Sequence, residues 1–149
     1  MMDKTNNYET ATAFQNQVKD WFQQAYKTEF ELEKKIAIGT PAKAHRFDIA
    51  DRSNRFVIEC KRYVWTKTGN VPSAKISHIN EAAFYLSFLP DSYEKYIVIF
   101  YSFHPKRNET LATYYYRTNR HLLGNIKVAE FNPETNDLHI IENNSILRG

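Results

Sequence analysis

Cysteine is almost missing from this chain: Cys60 is the only one in 149 residues. That excludes a disulfide within the chain and fits a reducing compartment. Long apolar runs are missing too. The longest, Tyr96 to Phe103, falls far short of the roughly 20 residues that a membrane-spanning helix needs. Met1 to Asn7 is polar, without the basic, apolar and small-residue succession of a secretion signal. A cytoplasmic protein with no membrane partner is therefore expected. His45, His104, His121 and His139 form no pair at metal-ligand spacing, which argues against zinc. No nucleophile-elbow motif supports Ser-His-Asp chemistry. Internal repeats are lacking as well.

What is present is the composition of an ordinary globular domain, 42% hydrophobic and 25% charged. Its length suits one domain over residues 1–149 with a sizeable core. The formal net charge of +3 hides an uneven distribution. Lys43 to Lys75 holds eight Lys and Arg against Asp48, Asp51 and Glu59, while the remainder holds twelve against fourteen acids. From Lys106 to Lys127, five Lys and Arg face only Glu109. Such clustering suits a polyanionic partner, and equally a solvated basic face.

Residues 1–9 read as a loose arm. Thr10 can cap a helix whose apolar stripe is Phe14, Val18, Trp21, Phe22 and Ala25, running to about Lys27. Phe30 to Ile38, Arg46 to Ala50 and Arg55 to about Trp65 read as strands, with Asp51-Arg52-Ser53-Asn54 as a turn. Thr66 to Pro72 is a loop. Ser73 can cap a second helix with Ile76, Ile79, Ala83 and Leu86 on one face. Tyr96 to Phe103 suits a strand covered on both faces. Asn108 to Leu123 reads as a helix, although Thr113 to Tyr116 would also suit a strand. Ile126 to Phe131 and Leu138 to Ile141 read as a terminal hairpin. The expected fold is α/β (α+β), a central mixed sheet with an α-β-β-β-α-β core over about 10–103. A helix and C-terminal β-hairpin are appended over about 108–142.

Three charges stand in unusually apolar company: Asp48 between Phe47 and Ile49, and Glu59 and Lys61 around Cys60 after Phe56-Val57-Ile58. Period-two alternation puts Val57, Glu59, Lys61, Tyr63 and Trp65 on one face of their strand. It gives Phe47 and Ile49 a common apolar face, with Arg46, Asp48 and Ala50 facing away. A turn centred on Arg52-Ser53 sets Asp48 opposite Val57, with Glu59 as its diagonal neighbour at roughly 7–8 Å between backbones. Two carboxylates so placed can share one hard cation at about 2.0–2.5 Å. Magnesium held that way keeps waters, lowers the pKa of one, and stabilises charge developing on a phosphodiester. Lys61 can position that water, and the carbonyl of Cys60 can be a further ligand. The Cys60 thiol points toward the core as a small hydrophobe. A structural salt bridge of Lys61 with either acid is the competing reading. Glu33-Lys34-Lys35 repeats the Glu-x-Lys pattern but lacks the preceding hairpin-paired aspartate, and is set aside as a decoy.

Asp48, then Glu59-Cys60-Lys61 on the next strand, in an α-β-β-β-α-β order, resembles the PD-(D/E)xK, or restriction-endonuclease-like, nuclease superfamily over about residues 10–103. The resemblance implies Asp48 and Glu59 as ligands of Mg2+, with Mn2+ able to substitute. It also implies the Cys60 carbonyl as an added ligand and Lys61 as the group assisting the attacking water. It makes nucleic acid, foremost DNA, the partner, and a homodimer an assembly to consider. Two features depart from the family. Phe47 stands where its name has proline. The first helix offers Gln15 and Gln17 where many members place a metal-site glutamate, which puts a second metal in doubt.

Around these residues, Arg46, Arg62, Tyr63, Trp65, Lys67 and Lys75 mix cations with aromatics in the manner of a nucleic-acid path. Taken alone, Trp65 better suits packing against a helix. His78 and Glu81 lie on the turn of the second helix that would face the site. Two other functions compete with a nuclease: a catalytically inactive nuclease fold that only holds nucleic acid, and a structural partner assembling through its terminal hairpin.

Overall fold

The structure is a computed structural model that describes residues 4–53 and 55–142, with side chains from residue 11 onward. Helix α1 (Lys4–Tyr26) precedes strands β1 (Phe30–Ile38), β2 (Lys43–Asp51) and β3 (Phe56–Lys61). Helix α2 (Ser73–Leu86) leads to β4 (Glu94–Phe100) and a two-residue-per-strand hairpin, β5 (Phe103–His104) and β6 (Glu109–Thr110). Helix α3 (Leu111–Asn119), a single 3-10 turn at Arg120–Leu122, and strands β7 (Lys127–Asn132) and β8 (Asp137–Ile140) complete the described chain. The main sheet has the order β1-β2-β3-β4-β7-β8. Its β3-β4 and β4-β7 pairs are parallel and the others antiparallel. This is an α+β fold with a mixed six-stranded sheet.

Helix α1 starts earlier than its expected cap at Thr10, because no Gly or Pro interrupts the chain from Lys4 to Tyr26. It stops where Lys27 takes a left-handed φ of 54°. Its stripe Phe14, Val18 and Phe22 is buried against Phe30, Ile49, Phe56, Ile58, Tyr96, Val98 and Phe131. On the opposite face, Ile79, Ala83 and Leu86 of α2 and Leu111, Ala112 and Tyr115 of α3 cover Val57, Ile97, Ile99 and Val128. The sheet is thus a middle layer, and β4 is apolar throughout because both of its faces are covered.

The terminal hairpin is no appendage. Strand β7 pairs in parallel with β4, so the expected appended α-β-β extends the sheet itself. Thr113 to Tyr116 is helical, capped by the Thr110 hydroxyl, which accepts the Thr113 N–H at 3.2 Å. The β2-β3 turn also differs from expectation. Asp51 is buried, and its carboxylate accepts the Phe56 N–H and the Ser53 hydroxyl, both at 2.9 Å. These bonds hold the turn open two residues longer, so Ala50 pairs with Val57 and Ile49 with Ile58. The register is shifted by two residues from the one that set Asp48 opposite Val57. No helix among the described residues is long and apolar enough to cross a membrane.

Phe22 is fully buried and packs its ring on Phe30 and Tyr96 at centroid distances of 5.9 and 5.1 Å. Replacing Phe22 with alanine should cost about 3–5 kcal/mol in urea unfolding. A loss under about 1 kcal/mol would mean that α1 is not docked as described.

Candidate active site

Both strands of the first hairpin change face at the same level. Phe30 and Leu32 belong to the α1 side, Ile36 and Ile38 to the other. On β2, Ile49 belongs to the α1 side, Phe47 and Ala50 to the other. The change falls beside the Leu32-Ile49 pair, where Glu33 holds a left-handed φ of 53°. Strict alternation describes an unkinked strand, so the common face expected for Phe47 and Ile49 does not form. A charged residue in that conformation mid-strand is uncommon and costs backbone energy.

At the same level the sheet is open between β2 and β3. Backbone pairing stops at Ile49-Ile58, and side chains complete what the ladder leaves undone. Oε2 of Glu59 accepts the Asp48 N–H at 2.8 Å, and Oδ2 of Asp48 accepts the Cys60 N–H at 2.8 Å. Each carboxylate therefore holds the neighbouring strand. Asp48 joins from the α1 side, where it lines a cavity with Cys60 and Arg62. Glu59 follows Val57 on the alternation of β3 and arrives from the α2 side. The expected single shared face is replaced by convergence through a gap.

Burial there is costly for charge. Glu59 is 7% exposed. Its carboxyl is pushed up from 4.5 to about 8, first by burial and then by the charge of Asp48, against the pull of the Asp48 N–H and Lys61. Asp48 is also raised by burial, partly offset by the Cys60 N–H and the Lys61 ammonium. Lys61 is half-buried and near enough to act on both acids. Desolvation pushes the Cys60 thiol well up, with both carboxylates adding to the shift, so this half-buried side chain is a small hydrophobe and not a nucleophile.

A cavity of about 510 Å3 lies on the α1 side, lined among others by Phe14, Gln15, Glu33, Arg46, Asp48 and Arg62. Gln15 donates its amide to Oε2 of Glu33 at 2.7 Å and to the Asp48 carbonyl at 3.3 Å. Gln17 is exposed one step along the helix. Glu33, set aside in the sequence as part of a decoy, is the residue that sequence reasoning missed. Its charge raises both Asp48 and Glu59. The only trace of it in the sequence is Lys34, a cation in the slot that alternation would make apolar. Its Nζ leaves the apolar layer to donate to the carbonyls of Asp51 and Arg52 at 3.1 and 2.9 Å.

The remaining residues separate. Arg46 and Arg62 border the cavity, and Arg62 lays its guanidinium 4.4 Å from the Phe100 ring centroid. Tyr63, half-buried, has the Lys75 ammonium 5.1 Å from its ring centroid and its hydroxyl 3.5 Å from Nδ1 of the exposed His78. Lys67 is exposed. Trp65 departs from the expected nucleic-acid path: it is 5% exposed, packed edge-on to Tyr114, with its indole N–H donating to the Glu109 carbonyl at 3.1 Å. A ring so enclosed offers no face to a base.

Among the described residues no set of three or more His, Cys, Asp and Glu side chains is arranged to hold a metal ion. The Asp48-Glu59 pair by itself suits Mg2+, which commonly takes one or two carboxylates and keeps waters for its other positions. Oδ2 of Asp48 and Oε2 of Glu59 each accept one backbone N–H, which leaves Oδ1 and Oε1 as the less engaged oxygens of the pair.

The raised Glu59 fixes a pH signature. A folded-state value near 8 against an ordinary 4.5 means the folded chain retains a proton that the unfolded chain gives up. The stability this group contributes is complete below about 4.5 and is lost as pH rises through about 8. Metal-free Glu59→Gln should therefore melt at the wild-type temperature at pH 4 and above it at pH 9. Equal melting temperatures at both pH values would show that Glu59 is not buried beside a like charge.

Compared with family models, with curated proteins and with solved structures, the chain finds no match.

Proposed function

We propose that this chain is a metal-dependent nuclease that hydrolyses phosphodiester bonds of nucleic acid, foremost DNA, with a Mg2+-activated water. Mn2+ would substitute. The observation that carries this reading is the pair Asp48 and Glu59, buried together without a fully compensating cation. Two like charges in such a place are tolerated by keeping a proton or by sharing a cation. When bound, the metal would acidify a ligated water and offset charge on the phosphorus oxygens.

The chain's own residues supply the rest. Oδ1 of Asp48 and Oε1 of Glu59 offer the anionic ligands, and the Cys60 carbonyl is the further oxygen implied by resemblance to PD-(D/E)xK nucleases. Lys61 holds a positive charge beside both acids, suited to orienting the water and balancing incoming phosphate. Arg46 and Arg62, bordering the cavity next to Asp48, suit contact with the nucleic-acid backbone.

Incubation with supercoiled plasmid and Mg2+ should yield nicked product, and Lys61→Ala should lower the rate by about 100-fold or more. Equal nicking by Lys61→Ala and wild type rules out the mechanism.

A second reading, a nuclease fold that holds nucleic acid without cutting it, is favoured by one observation. Both carboxylates are already engaged in bridging β2 and β3. Titration calorimetry separates the two. The nuclease reading expects Mn2+ uptake by wild type that is lost in Asp48→Asn; duplex binding with no metal uptake selects the binding module.

A further inference from the structure

The loop that follows β3 and the hairpin that follows β4 are strapped together at the C-terminal ends of two neighbouring parallel strands. The Trp65 N–H donates to the Ser102 hydroxyl at 3.1 Å, and Nε2 of His104 lies 2.9 Å from the Lys67 carbonyl. Gly69, at φ 85°, presses so closely on the hairpin that a Cβ there would come within 3.0 Å of the His104 ring. Ends of parallel strands are where open sheets bind their ligands.

This strap carries an uncommon surface. Tyr101 and Phe103 expose 39% and 48% of their area, and Val64 beside them 44%. Two guanidiniums lie on aromatic faces, on opposite sides of the sheet: Arg62 is 4.4 Å from the Phe100 centroid on the α1 side, and Arg107, in the hairpin itself, is 4.9 Å from that of Trp65 and 5.3 Å from that of Tyr114. Neither is ion-paired with a carboxylate among the described residues. Stacking fixes a guanidinium plane and leaves its N–H edge for an anion. Lys67 and Lys106 are exposed nearby. No Asp or Glu occurs in residues 60–80 or 95–108, and the next acid, Glu109, is bound to Arg117 at 2.6 Å.

We infer that this strap is a binding surface for single-stranded nucleic acid, whose phosphates meet Lys67, Lys106 and Arg107 and whose bases stack on Tyr101 and Phe103. Fixed cations alone would fit any polyanion. Exposed rings among them select a partner whose bases are unpaired, because stacked base pairs present no free π-face. The inference rests on the nuclease reading for its placement at the end of the strand that carries Glu59 and Lys61, and it narrows the substrate to strands, flaps or loops.

Fluorescence anisotropy in EDTA tests it without cleavage, using an oligothymidylate of about 20 nucleotides, the oligouridylate of equal length and a duplex of equal length, each long enough for one binding site. One or both single strands should bind at least about 10-fold tighter than the duplex. A Tyr101→Ala/Phe103→Ala variant should lose about 10-fold or more on single strands, at 1–3 kcal/mol per stacked base, while its melting temperature stays at the wild-type value. Lys67→Ala/Lys106→Ala should reduce the slope of log affinity against log salt by about 1.4. Duplex held as tightly as single strand, or unchanged single-strand affinity in the aromatic variant, overturns the inference. The same preparations with Mg2+ and plasmid keep the two ideas apart. Lys61-dependent nicking alongside unchanged single-strand binding by the aromatic variant defeats the surface alone. Ring-dependent strand binding without nicking defeats the nuclease alone, and no nucleic-acid binding defeats both.

Discussion

Two hydrogen bonds of 2.8 Å, one from the Asp48 N–H to Glu59 and one from the Cys60 N–H to Asp48, decide what the centre of this sheet can be. In an unbroken ladder those donors would meet backbone carbonyls and the acids would point into the packed layers. Here the acids take the carbonyls' part. The donors are satisfied, which a buried N–H requires, and two carboxyl groups end up where the sheet should be most apolar. Removing either side chain would strand a buried donor as well as a charge, so structure and proposed chemistry share the same atoms.

The opening is matched by a kink one strand further out. Glu33 turns left-handed, β1 and β2 change face together, and the α1 side acquires a cavity where a flat hairpin would have sealed it. Gln15 reaches from α1 to Glu33 and to the Asp48 carbonyl, tying the kink to the helix. Strain of this kind survives only where packing overdetermines it. Layers on both faces of the sheet, with Phe14, Val18 and Phe22 on one and the α2-α3 cluster on the other, supply that constraint.

Electrostatically the gap is unfinished. Lys61 acts on both acids but does not outweigh their burial, and Glu59 stays near 8. A proton can occupy the site in a metal-free chain, and a hard cation can take its place. Around the gap, cations are held on aromatic rings and not by acids, as with Arg62 on Phe100 and Lys75 over Tyr63. That keeps a basic surface next to an acidic centre without the two neutralising each other.

Local pattern was enough for the elements: the stripe from Phe14 to Phe22 determined a helix, Phe30 to Ile38 a strand with those bounds, and the unbroken apolar run in β4 its cover on both faces. The candidates Asp48, Glu59 and Lys61 were also legible, because charge amid Phe47, Ile49 and Ile58 needs a reason. Which atoms meet was not. Alternation counts residues and cannot register one left-handed φ at Glu33, so it gave Phe47 and Ile49 a common face. Turn position was judged from Arg52-Ser53, while the bond from Phe56 to Asp51 set a register two residues away. Glu33 looked like a decoy, and Trp65 could be counted on a nucleic-acid path although alone it suited packing against a helix, as it does on Tyr114, because exposure is a property of the packed whole. Only the tertiary fold decided these, since register, kink and burial depend on contacts between residues far apart in the chain.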